Sequence, residues 1–328
     1  MKLYDDTLIV VTGGAGFIGS CVIKELNDQG LDNILVVDDL GTSETWKNLV
    51  GKRFVDIIRK DKLLEFLDGR EDEIEAFIHL GACSNTLELD ADYLLENNYR
   101  YSVRLCEYAV HHGIRFVYAS SAATYGDGSR GFSDSPDLLQ TLEPLNMYGY
   151  SKHLFDLWLL NQGLLSEVVG LKYFNVFGPN EYHKGRMSSA IVRMVPEYQK
   201  TGAIRLFKSE FPEQFPDGEQ KRDFIYVKDA ARMTIAFLKS NCTGIYNVGS
   251  GQAISWNRMA SAVCSSLGCP TNITYIDMPN DLLGKYQYFT QADMTKAKKV
   301  LGEKADCATF ENSVHDYVTN YLLEKKLW

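Results

Sequence analysis

Short apolar runs recur through the first half of the chain, with longer stretches of helical spacing between them. Residues 8–12, 34–38, 54–58, 76–80, 115–120 and 168–174 read as strands, several apolar at every position. A strand without a polar face is covered on both sides, so these runs predict a parallel sheet between helices. Beyond Gly178 the pattern loosens. The segment 208–221, KSEFPEQFPDGEQK, is polar and holds two prolines, which predicts a surface loop. Near the end Phe310, Val314, Tyr317, Val318 and Tyr321 recur at spacings of three and four, which predicts a terminal helix over 306–326. The expected fold class is α/β, a doubly wound parallel sheet with a smaller C-terminal α/β lobe. Residues 1–178 are expected to form the first domain, and 179–328 mainly the second lobe, with segments returning to the first.

Composition narrows the class. A chain of 328 residues can build one large α/β domain plus a lobe. Its 45% hydrophobic and 23% charged residues are ordinary for a globular protein. A net charge of −9 argues against a nucleic-acid surface, while leaving room for a local basic pocket. Residues 1–6 carry two acids and lead directly into an apolar strand, unlike the basic start of a signal peptide. No apolar run approaches the roughly 20 residues of a membrane helix. The seven cysteines form no CxxC pair and no metal-ligand spacing, so neither a disulfide framework nor a metal site is expected. A reducing cytoplasm fits this usage.

The first strand runs into Gly13-Gly14-Ala15-Gly16-Phe17-Ile18-Gly19, and a helical pattern follows at once. Glycines at 13, 16 and 19 are a spacing variant of the dinucleotide fingerprint of Rossmann-type sheets: a tight turn, close backbone approach to pyrophosphate, and close packing of helix on strand. The helix start offers unpaired N–H groups and partial positive charge to the phosphates. Asp38 stands 19 residues after Gly19, at the end of the second strand, where an acid can bind a ribose 2′-hydroxyl. The expected cofactor is NAD or NADP. Asp38 and Asp39 favour NAD, because a 2′-phosphate would meet like charge. Lys47 and Lys52 could compensate, but read more simply as solvated surface charges.

Tyr148 and Lys152 lie four apart in Asn146-Met147-Tyr148-Gly149-Tyr150-Ser151-Lys152, which on a helix sets phenol and ammonium on one face. A tyrosine near its usual pKa of about 10 is a poor base at neutral pH. A nearby ammonium and an oxidised nicotinamide both favour the phenolate and so make it usable for proton transfer. Upstream, Tyr118-Ala119-Ser120-Ser121-Ala122-Ala123-Thr124-Tyr125-Gly126 ends a strand in hydroxyls, of which Ser121 could hold a carbonyl oxygen.

The runs GGAGFIG, SSAATYG, YGYSK, YFNVFGP, RDFIYVKD and GIYNVGSG together resemble the extended short-chain dehydrogenase/reductase family over essentially the whole chain. More narrowly, HLGACSNT, ENNYRYS, LNMYGYSKHLFD, KYFNVFGPNEYHKGRMSS and GKYQYFTQAD resemble the ADP-L-glycero-D-manno-heptose 6-epimerases. The resemblance implies an NAD(P)-dependent nucleotide-sugar epimerase, with one cofactor per subunit and a homo-oligomer such as a pentamer. It further implies a place in lipopolysaccharide core biosynthesis. By the same resemblance Tyr148 and Lys184 are the two acid/base residues, with Ser121 and Lys152 in support. Phe17, Ile18, Asp38, Asp39, Lys60, Leu80, Gly81, Ala82, Cys83, Ser84, Asn97, Tyr148, Lys152, Val176 and Lys184 would line the cofactor. Ser121, Asn175, Phe207, Arg222 and Tyr286 would hold the nucleotide-sugar. Without the resemblance, Lys184 reads as a surface lysine in a loop, and His183 beside it as a loop histidine.

Two departures from the family pattern bear on specificity. The family's lysine seven residues beyond the strand-two acid is here replaced by Glu44 or Thr45. Arg186 and Arg193 stand where the family has a serine and a histidine that touch substrate, so both are candidate substrate contacts with added positive field. A rival reading is another nucleotide-sugar epimerase, such as a 4-epimerase. A 4,6-dehydratase would need a carboxylic acid beside the serine, where Ala122 and Ala123 stand instead. A cofactor-sensing protein without turnover would be expected to lack Tyr148, Lys152 or Ser121.

Overall fold

The computed structural model describes residues 7–279 and 287–328. Twelve strands lie among them. In chain order they are β1 Leu8–Thr12, β2 Ile34–Val37, β3 Asp56–Ile58, β4 Ile74–His79, β5 Arg115–Ser121 and β6 Val168–Tyr173 in the first half. The second half adds β7 Asn175–Phe177, β8 Ile204–Phe207, β9 Lys221–Tyr226, β10 Gly244–Val248, β11 Ala253–Ser255 and β12 Ile273–Ile276. The six strands expected from the apolar runs are all present, with ends shifted by up to two residues.

Seven strands form one sheet in the order β10-β6-β5-β4-β1-β2-β3, every pair parallel. Side chains alternate across it. Ile9, Val11, Ile34, Val36 and Ile78 enter one buried cluster, while Val10, Leu35, Val37 and Phe77 enter another. Apolar residues at successive positions thus serve two helical layers, the physical reason these strands have no polar face. From β1 the chain builds outward to β2 and β3, then returns to add β4, β5 and β6 on the other side. The order therefore reverses between β1 and β4, and a crevice opens beyond their carboxyl ends.

The second half of the chain is distributed. β10 joins the edge of the large sheet beside β6. β7, β9 and β11 form a three-stranded sheet, and β8 pairs with β12. Two expectations need correction. The loop after β8 stops at Gln220, which is 1% exposed, and Lys221 begins β9 rather than ending the loop. The terminal helix is shorter than its apolar spacing suggests. Thr309 caps it by accepting from the Asn312 N–H, it runs Phe310–Tyr317, and it widens into a π-turn over Val318–Leu322. Ala308, just before the cap, gives its N–H to Asp229. No helix of the described residues is long and apolar enough to cross a membrane.

Candidate active site

The glycine turn after β1 fits against the turn after β4. Gly13 has φ +68°, and a Cβ there would stand 2.7 Å from the Gly81 Cα. A Cβ on Gly19 would come within 2.1 Å of the Gly13 carbonyl oxygen, and one on Gly16 within 3.0 Å. The helix Phe17–Asp28 starts at Gly16 with no side-chain cap, so its first turn keeps donors for an incoming anion. Asp38 steadies the turn: one carboxylate oxygen accepts from the Ala15 N–H at 2.9 Å, the other from the Asp39 N–H at 2.8 Å. Burial raises its pKa, and these N–H groups oppose the rise.

A cavity of about 730 Å³ opens beyond this turn. Gly13, Gly16, Phe17, Ile18, Gly19, Asp38, Leu80, Gly81, Ala82, Cys83, Ser84 and Val176 line it. An annex of about 210 Å³ holds Asp39, Lys60 and Asn97, with Tyr93 and Tyr101, which the sequence reading did not name. Lys60 donates to the Asn97 side chain and lies 3.4 Å from Asp39, with Arg59 at 3.7 Å on the same carboxylate. Lys47 instead pairs with Glu44. Lys52 is a correction: not a solvated charge, it is largely covered, donates to the Trp328 carbonyl and has its pKa pulled down to about 8 by burial. The crowded glycines, the uncapped helix start and the Asp38 acceptor fit a dinucleotide.

The same cavity collects the expected chemistry. Asn146 caps the helix Met147–Asn161 by accepting from the Gly149 N–H, which sets Tyr148 in its first turn. Tyr148, Lys152, Ser121, Asn175 and Lys184 all line the cavity. Burial raises the Tyr148 pKa, and a hydrogen bond with the Ser121 hydroxyl opposes it. Burial also pulls Lys152, 5% exposed, down to about 8. Lys184 is not on the outer surface. Its ammonium stands 5.6 Å from the centre of the Phe17 ring, and burial lowers its pKa while Glu181 opposes the fall. His183, set aside as a loop residue, also lines the cavity and bonds to Asn48 at 3.2 Å.

Behind these residues lies a buried ion pair that the sequence reading missed. Lys172 and Asp156 are both 0% exposed, with nitrogen and oxygen 2.7 Å apart. Ser120 and Tyr118 donate to the same carboxylate, and Lys172 also donates to Thr124. The group ties β5, β6 and the Tyr148 helix together just below Ser121. Its signals were a lysine within the apolar run of β6 and an acid four residues beyond Lys152.

A second cavity of about 610 Å³ adjoins the first, Thr86, Arg186 and Met187 lining both. Arg193 and Phe207 line it as expected, and so do Arg205, Gln220 and Trp256, which were not anticipated. Arg205 is paired with Glu197. Arg222, in the middle strand of its sheet, is 7% exposed, donates to the Lys221 carbonyl, and is not among the described lining of either cavity. Tyr286 lies outside the described residues.

A parallel sheet whose order reverses beside a crowded glycine turn, with an acid at the end of its second strand, defines a dinucleotide-binding protein of the Rossmann class. The chain belongs to the NAD dependent epimerase/dehydratase family, whose model matches residues 9–249. Among its relatives, the ADP-L-glycero-D-manno-heptose-6-epimerase of Nitratidesulfovibrio vulgaris is 49% identical over 318 residues, 96% of this chain and 98% of that protein. That of Fusobacterium nucleatum is 44% identical over 330 residues, 97% of this chain and 99% of the other. The crystal structure of the Helicobacter pylori ADP-L-glycero-D-manno-heptose-6-epimerase superposes with a TM-score of 0.78 at 28% identity, covering 96% of each chain. The UDP-N-acetylglucosamine 4-epimerase of Methanobrevibacter ruminantium superposes at 0.82 with 24% identity, covering 98% of this chain and all of that one, a likeness of fold alone.

Proposed function

We propose that this protein inverts C6 of a nucleotide-activated heptose, converting ADP-D-glycero-D-manno-heptose to the L-glycero epimer. The observation that carries the reading is that Tyr148 and Lys184, from separate elements, line the same cavity as the glycine turn. The names of the 49% and 44% identical relatives support the choice of sugar. Bound at the turn, NAD or NADP supplies reversible hydride transfer at C6. Tyr148 handles the hydroxyl proton in one half-reaction and Lys184 in the other, so that C6 can be approached from either face. Ser121 holds the oxygen as it becomes a ketone, and Lys152 adds positive charge beside the phenol. Asn175, Arg186 and Arg193 hold the nucleotide-sugar, with its diphosphate between the two cavities. Residues 1–178 act as the cofactor domain and 179–328 mainly as the substrate lobe. A cytoplasmic homo-oligomer belongs to the same reading, supported by family resemblance alone.

Because the hydrogen lost from C6 is the one returned, conversion in heavy water is expected to give product without deuterium at C6. Tyr148→Phe and Lys184→Ala are each expected to cut turnover by roughly 100-fold while cofactor stays bound. Deuterium at C6 would overturn the chemistry, and near-normal turnover by Lys184→Ala would overturn the two-base account. Conversion of a different nucleotide-sugar alone would keep the chemistry and reassign the substrate.

A further inference from the structure

The loop that carries Lys184 is closed on itself by a buried acid. Glu181 is 1% exposed. One of its carboxylate oxygens accepts from the Gly178 N–H at 3.2 Å, the Ser189 hydroxyl at 2.7 Å and the Tyr317 hydroxyl at 2.9 Å. The other accepts from the Ser189 N–H at 2.5 Å. Gly178 precedes the turn Tyr182–Met187 and Ser189 follows it, so one side chain joins both ends of the segment bearing Lys184. Tyr317 anchors the junction to the helix Phe310–Tyr317. Ser189 is the N-cap of the helix Ala190–Thr201, yet its side chain does not cap; it is spent on Glu181. The carboxylate therefore sits at a helix start, where negative charge is stabilised. Burial raises the Glu181 pKa, and its bonds from Ser189, Gly178 and Tyr317 oppose the rise by stabilising the ionised carboxylate.

A buried charge is costly, and a loop could be closed by neutral groups. We propose that Glu181 is the positioning residue for Lys184, clamping both ends of its loop and setting a fixed negative charge close to its ammonium. The proposal rests on the reading of Lys184 as an acid/base residue. Other titratable groups near the pair are His183 beside Lys184, and Tyr182 and Tyr317 beside Glu181. Across the cavity stand Tyr148, Lys152 and Asp38. The Glu181 charge opposes the lowering of the Lys184 pKa by burial, so removing that charge moves the lysine's titration toward acid.

The test compares Glu181→Gln, Ser189→Ala and Lys184→Ala in kcat, KM and the pH profile of kcat, with cofactor affinity measured separately. The Lys184 limb is the one that disappears in Lys184→Ala. Glu181→Gln is expected to lower kcat about tenfold, to change KM by less than about threefold, and to shift that limb toward acid. An unmoved limb with kcat within about twofold of the parent would sink the proposal, since a purely structural role moves no limb. If Glu181→Gln does not fold, Ser189→Ala decides, because it cuts one tether and leaves the charge. Its kcat is expected to fall about threefold with the limb in place, and an unchanged kcat overturns the clamp. Normal turnover by Lys184→Ala would instead sink the two-base function, and the proposal with it. Loss in Lys184→Ala with Glu181→Gln unaffected sinks the proposal alone.

Discussion

Asp38 and Asp39, adjacent at the end of β2, differ in what surrounds them. Asp38 is committed to the glycine turn through the Ala15 N–H, whereas Asp39 is exposed and lies between Arg59 and Lys60. A 2′-phosphate entering the annex would meet two carboxylates, but also Lys60, already paired with Asp39, and beside it Arg59, held by Asp61. The parent protein is therefore expected to bind NAD at least as well as NADP. Asp39→Asn removes one repulsion and releases Lys60 from that carboxylate, while Arg59 keeps Asp61, which at an exposed site is worth about 1 kcal/mol, or about fivefold in relative affinity toward NADP. Titration of parent and variant with both cofactors checks this. Tenfold tighter NADP binding by the parent would show that the annex is built for the phosphate.

At the scale of elements, the register of β1 against β4 is locked at the carboxyl ends where the cradle begins. Thr12, the last residue of β1, bonds to Nδ1 of His79, the last of β4, at 2.6 Å. His79 Nε2 lies 2.8 Å from the Ser102 hydroxyl, which itself donates to the Asn98 carbonyl. Ser102 has one proton and has given it away, so His79 carries its proton on Nε2 and accepts from Thr12 at Nδ1. A second proton would place a charge in a fully buried site. Burial accordingly pulls the His79 pKa down to about 3, with Lys152 adding to the effect. The folded pKa lies below the unfolded value near 6.5, so between about pH 3 and 6.5 the unfolded chain binds the extra proton. Stability from this residue is thus complete above about pH 6.5 and is lost as pH falls through that window. Urea unfolding is expected to show about 2 kcal/mol less stability at pH 5 than at pH 7 from this residue. A His79→Asn variant should lose that share of the slope, and an identical slope in parent and variant would remove His79 from the account.

Across the whole molecule, the proposed function uses two cavities that meet at Thr86, Arg186 and Met187. The first is built on the large sheet, the second from β8, β12 and the helix Ala190–Thr201, so a substrate reaching C6 in the first can leave its nucleotide in the second. Arg186 lies at the junction and Arg193 deeper in the second cavity, both exposed. Arg186→Ala and Arg193→Ala are expected to raise KM for the nucleotide-sugar about tenfold each, the loss of a charged hydrogen bond to phosphate, with kcat and cofactor affinity little changed. Unaltered KM in both variants would place the diphosphate elsewhere.

Features whose signal is local were readable from the sequence. Five of the six strands were legible because burial on both faces leaves an apolar run a few residues long, whereas β3 is an edge strand with no buried residue. The cradle was legible because the turn after β1 tolerates only glycine at 13 and 19, and the Tyr148–Lys152 pair because helical spacing sets both on one face. Only the tertiary structure decided what depends on segments distant in sequence. Glu181 reaches Tyr317, Lys172 reaches Asp156, and Arg59 and Lys60 reach Asp39, and no spacing rule announces such partners. Lys52 reads as a solvated cation because a charged side chain alone does not reveal which backbone carbonyl will take it up. The place of β10 at the sheet edge, and the joining of two cavities into one path, follow from strand order, which the packing of helices on both faces sets and no single segment encodes.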